Sequence, residues 1–413
     1  MAEQPQPLKL FFIFSTLSAL YIVSMFYRVS NAVIAPNLTR DLGLNAETIG
    51  ILGGAYFYSF TLLQIPLGPM LDRLLPRIVV TSSALVGAMG ALLFAFGDSY
   101  LAALWGRILI GAGMAPILMG SLKVFTLQFP PERFSTLMGT FVSVGTLGSI
   151  LAASPLAYFT STIGWRMIFI IAGGTTAVLA LLTFLILGGE KRNPKSLASP
   201  VRSQPEVRVL ESFRLILGSL TFWQIGMVAF FRFGISMGLQ GLWLGPYLMD
   251  IKGYSPIQTG HLLILSAIGM IVAGPISGQF SDRVFRSSKS VGLWGLSLYA
   301  LSLLPLIGIF KIESPLWFGL ILFFNGFFNT FGMMVYPHAK DLFPVTISGT
   351  VMTGVNFFTM AGAAILIPAL GKIIESFPRM GHSYPAGAYH LSFLICFIGM
   401  AASLVFYAFS KKS

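Results

Sequence analysis

The chain has 413 residues, of which 55% are hydrophobic and only 10% charged, with a formal net charge of +12. A soluble domain carries about 25% charged residues, so a water-facing surface of this size cannot be built here, and soluble enzyme, disordered and nucleic-acid-binding classes are excluded. The basic excess would otherwise suggest a polyanionic partner, but the placement of the basic residues accounts for it.

A bilayer core is crossed by about 20 apolar residues in a helix. In chain order, spans are predicted at 10–36, 46–71, 78–98, 101–128, 134–160, 165–188, 219–249, 257–281, 290–310, 315–341, 348–376 and 388–410. The first is too long for the apolar region of a signal peptide, has only Lys9 ahead of it, and reads as a retained helix. With the N-terminus in the cytoplasm, the cytoplasmic side receives Lys9, Arg73, Arg77, Arg133, six basic residues of 189–218, Arg283, Arg286, Lys289, Lys340, Lys411 and Lys412. The opposite side receives only Arg40, Arg166, Lys252, Lys311, Lys372 and Arg379. That imbalance follows the positive-inside rule and predicts cytoplasmic termini. The polar stretch 189–218, with Lys191, Arg192, Lys195 and Pro194, Pro200 and Pro205, reads as a cytoplasmic linker between halves 1–188 and 219–413. A basic face against anionic lipid is a second reading of it.

The halves echo one another. Gly68-Pro-Met-Leu-Asp72-Arg73-Leu-Leu-Pro-Arg77 follows span two, and Gly278-Gln-Phe-Ser-Asp282-Arg283-Val-Phe-Arg286 follows span eight, with the Asp-Arg pairs 210 positions apart. Gly139-Thr140 and Gly349-Thr350, read as the starts of spans five and eleven, are also 210 apart, and Phe26-Tyr27-Arg28 answers Phe230-Phe231-Arg232 at 204. Such repeats predict two six-helix bundles related by an axis along the membrane normal. The Gly-x-x-x-Asp-Arg-x-x-x-Arg stretch resembles the loop signature of the major facilitator superfamily, and the resemblance covers essentially the whole chain. It implies an all-α membrane protein of 12 transmembrane helices in two pseudo-symmetric bundles, working as a secondary transporter by alternating access in the cell inner or plasma membrane. Leu75 stands where the family's signature usually has glycine.

Each loop aspartate sits between two spans, where a carboxylate can accept from exposed backbone amides and pair with an arginine. Contacts that exist in one packing and break in the other bias alternating access. Gly68, Asp72, Arg73, Arg77, Gly278, Asp282, Arg283 and Arg286 are the gating candidates, a role taken mostly from the resemblance; a plain helix cap is the alternative.

All 14 acidic residues fall in a tail, a loop or the last turn of a predicted span. Arg28, Arg107, Lys123 and Arg232 lie within spans. A central Arg or Lys costs about 2.5–3.5 kcal/mol on insertion scales, and no interior carboxylate is available to offset it, so the expected counter-charge is a mobile anion. Arg28 and Arg232 hold matching positions in the first helix of each half, and a guanidinium can hold a carboxylate or phosphate with two hydrogen bonds. Tyr21, Ser24, Arg28 and Asn31 recur at helical spacing on span one, as do Gln224, Arg232, Ser236 and Gln240 on span seven, which predicts a wet face on each. Arginines bonded to carbonyls of a neighbouring helix are the competing reading. The pair resembles the first-helix and seventh-helix arginines of organophosphate/phosphate antiporters and of the vesicular glutamate and sialic-acid carriers, which implies an organic or inorganic anion as cargo.

Arg107-Ile-Leu-Ile-Gly111-Ala-Gly113 resembles the superfamily's fourth-helix arginine motif, which implies a place at the cavity or in coupling. Lys123, sixteen residues on, points about 160° away at roughly 100° per residue; it is expected to snorkel toward the cytoplasm or to form an inner vestibule for anions. Tyr27, Tyr56, Gln64, Asn325, Asn329 and Asn356 complete the substrate-binding candidates, each also able to bond a neighbouring helix. His338 is a candidate for a proton role. The chain shows no nucleophile–base arrangement, no metal-ligand cluster and no phosphate-binding glycine loop, and its single cysteine, Cys396, cannot form an intramolecular disulfide. No cofactor, no nucleic acid and no partner beyond the bilayer and a small anion is expected, and the chain reads as a monomer. Proton-coupled efflux of drugs or other hydrophobic solutes is the alternative function; its carriers have a membrane-embedded acid and a Gly-Pro-rich fifth helix, whereas span five here has only Pro155.

Overall fold

A computed structural model of the chain describes residues 7–44, 46–188, 209–310, 314–378 and 384–411. Every regular element among the described residues is helical. The long helices are α1 (Pro7–Leu42), α2 (Ala46–Arg73), α3 (Pro76–Phe96), α4 (Tyr100–Gln128) and α5 (Phe134–Leu151), followed by α6 (Ser154–Ile163) and α7 (Trp165–Leu187). After a short α8 (Val209–Leu217) come α9 (Leu220–Gly238), the three-residue α10 (Leu244–Pro246), α11 (Pro256–Gln279) and α12 (Ser288–Leu303). The last are α13 (Pro315–Phe331), α14 (Val335–Leu342), α15 (Ser348–Glu375) and α16 (Ala386–Ala408).

Eleven helical stretches among the described residues are long and apolar enough to cross a membrane. The stretch missing from the predicted twelve is α2. It is 28 residues long, with Pro66 and Pro69 inside it.

Several predicted spans break or change helix type along their length, 290–310 among them, which passes from α12 into a 3₁₀ turn at Leu304–Ile307. The span 134–160 is two helices, because Pro155 has no N–H and its ring excludes the carbonyl four residues earlier, which is that of Leu151, the last residue of α5. The span 315–341 passes through a 3₁₀ turn at Gly332–Met334 before α14, whose first turn holds Pro337. Beyond α9 the chain continues through π-helical turns at Leu239–Trp243 and Tyr247–Ile251 on either side of α10. The predicted linker ends in a helix: α8 lies inside 189–218, with Ser212 and Ile216 buried one turn apart. Residues 189–208, which carry its basic run, lie outside the described residues.

The chain forms two compact units. The first comprises Met1–Pro131, Val144–Ser212 and Val345–Thr353; the second comprises Glu132–Ser143, Phe213–Pro344 and Gly354–Ser413. Helices α5 and α15 are therefore each shared, α5 changing unit after Ser143 and α15 after Thr353. Within the first unit, α3 and α4 approach through glycines: a Cβ on Gly90 would lie 2.7 Å from the backbone nitrogen of Ile110. Small residues at such crossings let helix backbones pack closely where lipid offers no hydrophobic drive.

Candidate functional site

In the first unit the candidates lie on α1, α2 and α4. Arg28 is half-buried on α1, its guanidinium 5.1 Å from the centre of the Phe60 ring. Its Nε is buried with no hydrogen-bond partner, and no carboxylate among the described residues pairs with it. Phe60 stacks on Tyr56, which sits one turn earlier on α2, and Arg107 lies 5.2 Å from the Tyr56 ring centre. Arg107 is fully buried; Nη1 donates to the Tyr27 carbonyl (3.1 Å), Nε donates to the Leu52 carbonyl (3.4 Å), and Nη2 has no partner. Most of this guanidinium thus serves the packing of α4 against α1 and α2. Tyr27 is buried with its hydroxyl 3.1 Å from Thr176 Oγ1 on α7. Ser24, Asn31 and Gln64 are buried, and Gln64 Nε2 donates to the Ala115 carbonyl at 3.4 Å. Asn31 Oδ1, Tyr56 Oη and Gln64 Oε1 have no partner. Buried polar atoms without protein partners are uncommon in folded proteins and call for an explanation, of which local strain, bound water and a ligand are three.

The second unit gathers its candidates more tightly. Arg232 on α9 is 3% exposed. Nη1 lies 3.5 Å from both the carbonyl and the Oδ1 of Asn329, Nη2 lies 3.5 Å from Met333 Sδ, and Nε has no partner. The two contacts to Asn329 are at the outer limit of a hydrogen bond, the one to the Met333 sulfur is of ordinary length, and no carboxylate among the described residues pairs with Arg232. Room for the side chain comes from Gly332, where an added Cβ would overlap Arg232 Cδ. Asn329 Nδ2 donates to Ser236 Oγ (3.0 Å). Gln240 Nε2 donates to Ser266 Oγ (2.6 Å) and to Asn325 Oδ1 (3.2 Å), and Asn325 Nδ2 donates to Ser302 Oγ (2.8 Å). Asn356 Oδ1 accepts from the Tyr336 hydroxyl at 3.1 Å, leaving its Nδ2 without a partner. The sequence reading missed Phe60, Ser266, Ser302 and Tyr336. Phe60 was detectable as the residue one turn beyond Tyr56; the others bond candidates on a different helix, 20 to 26 positions away, and the periodicity of one helix carries no signal about its contacts with another.

The loop signatures fold into two staples. In the first unit, Asp72 Oδ1 accepts from the Gly349 amide (2.8 Å), while Oδ2 accepts from the Thr350 amide (2.8 Å) and the Thr350 hydroxyl (2.7 Å). Asp72 therefore caps the start of α15. Its cation is Lys123, whose Nζ lies 2.7 Å from Oδ1. This corrects two expectations. The partner is a lysine and not an arginine, since Arg73 is exposed and Arg77 donates to the Gly188 carbonyl at 3.2 Å. Lys123 does not snorkel; it is buried against a fixed carboxylate that the sequence placed in a loop. In the second unit, Asp282 Oδ2 accepts from the amide and hydroxyl of Thr136, both at 2.7 Å. Arg283 and Arg286 are exposed, and Arg286 takes a positive φ of 49°. A Cβ on Gly68 would lie 2.6 Å from Thr350 Cα, and one on Gly278 would overlap Thr136 Cα. The structural counterpart of Thr350 is thus Thr136, third residue of α5 as Thr350 is of α15. Gly139-Thr140, the counterpart expected from the 210-residue echo, lies further along α5. His338 is buried, with Nδ1 2.8 Å from the Tyr407 hydroxyl and Nε2 2.9 Å from the Lys411 carbonyl.

The chain is similar to known proteins along most of its length. The chain is 22% identical over 315 residues to the "Probable sulfoacetate transporter SauU" of Cupriavidus necator, covering 74% of this chain and 72% of that one. It is 22% identical over 391 residues to the "Probable galactarate/D-glucarate transporter GudP" of Escherichia coli, covering 86% and 85%. Among solved structures, the E. coli fucose:proton symporter FucP superposes with a TM-score of 0.74 over 97% of this chain and 98% of its own, at 14% identity. These proteins are transporters and not enzymes, and the protein is a transporter and a multi-pass integral membrane protein of the plasma membrane. The sequence model of the Major Facilitator Superfamily matches residues 17–365 and again 246–413, and the chain belongs to that superfamily.

Proposed function

We propose that this transporter moves a small organic anion by alternating access, with Arg28 and Arg232 each presenting a guanidinium to it. The observation that carries the reading is the state of those two side chains: each has a buried Nε without a partner and no carboxylate counter-ion among the described residues. A cation held within membrane-spanning helices is costly unless something neutralises it, and an anion with planar oxygens suits a guanidinium fork. Relatives named for sulfoacetate and for galactarate and D-glucarate support a cargo bearing sulfonate or carboxylate groups. Ser236, Gln240, Asn325, Asn329 and Asn356 in the second unit, with Ser24, Asn31, Tyr56 and Gln64 in the first, are proposed to meet the rest of the substrate. In this reading α2 is a twelfth span, 1–188 and 219–413 are the two bundles joined by a linker over 189–218, and both termini are cytoplasmic. Asp72 and Asp282 act as gates that hold one access state.

The test is uptake of radiolabelled sulfoacetate and D-glucarate by proteoliposomes. Arg28→Gln and Arg232→Gln are each expected to lower uptake at least a hundredfold, since losing a charge-assisted pair with a buried ligand costs about 3 kcal/mol or more, while elution and melting stay near those of the parent. Full transport by the double variant would refute the anion clamp.

A further inference from the structure

Among the described residues, the first staple contains a group that the second lacks. Lys123 lies on α4, its side chain 8% exposed. Its Nζ has three acceptors: Asp72 Oδ1 at 2.7 Å, Ser348 Oγ at 2.9 Å and the Val345 carbonyl at 3.3 Å. An ammonium has three protons to donate, and here each has an acceptor. Two of the three acceptors belong to the segment Val345–Thr353, the same segment that Asp72 caps. The second staple is built differently. Asp282 holds the amide and hydroxyl of Thr136, and the position 210 residues beyond Lys123 is Met333, whose sulfur lies against Arg232. The nearby Lys340 sits 4.1 Å from the Phe134 ring centre and pairs with Asp341.

We propose that Lys123 is a positioning residue that sets how readily the first staple opens, and thereby biases the conformational equilibrium of transport. The proposal rests on the reading of Asp72 as a gate. Its sign follows from solvation. When Val345–Thr353 parts from α2 and α4, Asp72 meets water and its charge no longer needs a fixed partner. When the staple is closed, the carboxylate is dry, and an ammonium beside it offsets the desolvation. Lys123 also gives up its bonds to Ser348 and Val345 on opening. Both effects favour the closed staple, so removing the charge shifts the equilibrium toward the open one.

The experiment places a reporter thiol at Thr353→Cys in a Cys396→Ser background. Thr353 is buried, and its Oγ1 would lie 2.5 Å from a Cβ on Gly68, so this position is uncovered when the segment leaves α2. Alkylation rates are read for the reporter protein and for the same protein carrying Lys123→Met, Lys123→Gln, Lys123→Arg, Asp72→Asn, or Asp72→Asn with Lys123→Met. Lys123→Met is expected to raise the rate roughly tenfold, as a shift of about one order in the closed-to-open ratio would. Lys123→Arg should stay near the parent. The double variant should react no faster than Asp72→Asn alone, because a residue acting through another is not additive with it. A parental rate in Lys123→Met with a raised rate in Asp72→Asn overturns the role of Lys123 and leaves the gate intact. Parental rates in both remove the gate reading and this proposal with it. If Lys123→Met does not fold, Lys123→Gln carries the same expectation and the same refutation.

Discussion

Arg28, Arg107 and Arg232 are equally basic in sequence, and the structure separates them by what their nitrogens touch. Arg107 donates to two carbonyls of neighbouring helices and so behaves as a packing residue in most of its guanidinium. Arg232 has only contacts at 3.5 Å, and Arg28 lies over an aromatic ring. The outer residues follow simpler rules. Arg40 donates to Asp41 from Nε at 2.9 Å, and Trp165 donates to the same carboxylate from Nε1 at 2.9 Å, tying the end of α1 to the start of α7. The Arg40 hydrogen bond, with that of Trp165, holds the Asp41 carboxyl below the ordinary carboxylate range. A carboxylate whose folded pKa is depressed contributes stability that is present above its unfolded value, about 4, and is lost as pH falls through the folded one. Asp41→Asn is therefore expected to melt slightly below the parent at neutral pH, with the gap closing as the pH is lowered beneath the carboxylate range. Melting in detergent across pH checks it, and a gap that stays constant down to the lowest pH would contradict the assignment. The arginines were legible in the sequence because charge within an apolar run is conspicuous. The fate of Lys123 was not, because its counter-ion Asp72 lies 51 positions away and only folding brings α2 and α4 together.

At the scale of elements, the two staples use the same geometry with different chemistry. Gly68 and Gly278 each lie where a Cβ would press on the Cα of a threonine at the third position of a helix, and the aspartate four residues on caps that helix. The Asp-Arg echo was legible, and so was the equivalence of α2 and α11. The Gly-Thr echo misled, because repeats drift in register and a helix start is set by where the backbone amides become free, at Phe134 and Ser348. Helix breaks were partly hidden for a related reason: hydropathy continues through Pro155 although the hydrogen-bond ladder cannot. The difference between the staples has a measurable consequence. Asp72→Asn leaves the buried Lys123 without its carboxylate, a loss of the kind that costs about 3–5 kcal/mol. Asp282→Asn weakens two hydrogen bonds to one threonine, whereas Asp72→Asn weakens three bonds of that kind besides breaking the ion pair, and bonds to a charged group are worth about 1.5–3 kcal/mol each. The Asp72 variant should thus lower the melting temperature more than the Asp282 variant, and Lys123→Met should restore part of the loss in the Asp72→Asn background. An equal or reversed order would show that the lysine adds nothing to the first staple.

For the whole molecule, the question is what couples substrate to motion. A ligand can shift a conformational equilibrium only by interacting differently with its states. The first unit carries Arg28 and the second carries Arg232, and neither has a carboxylate partner among the described residues. Taking a protein with both charges uncompensated through the dehydrated middle of an access change costs desolvation twice. On the proposed reading, a bound anion would neutralise the guanidiniums, and the same passage would be easier. The loaded transporter should therefore change state faster than the empty one, and exchange should outpace net flux. In proteoliposomes preloaded with labelled substrate, unlabelled substrate outside is expected to accelerate efflux by roughly an order of magnitude, about 1.4 kcal/mol off the barrier of the return step. Arg28→Gln, if it retains measurable flux, should lose that acceleration, because the empty form then has less charge to desolvate. Efflux that is indifferent to substrate on the far side would mean that the empty transporter returns freely, and that charge neutralisation does not set the rate.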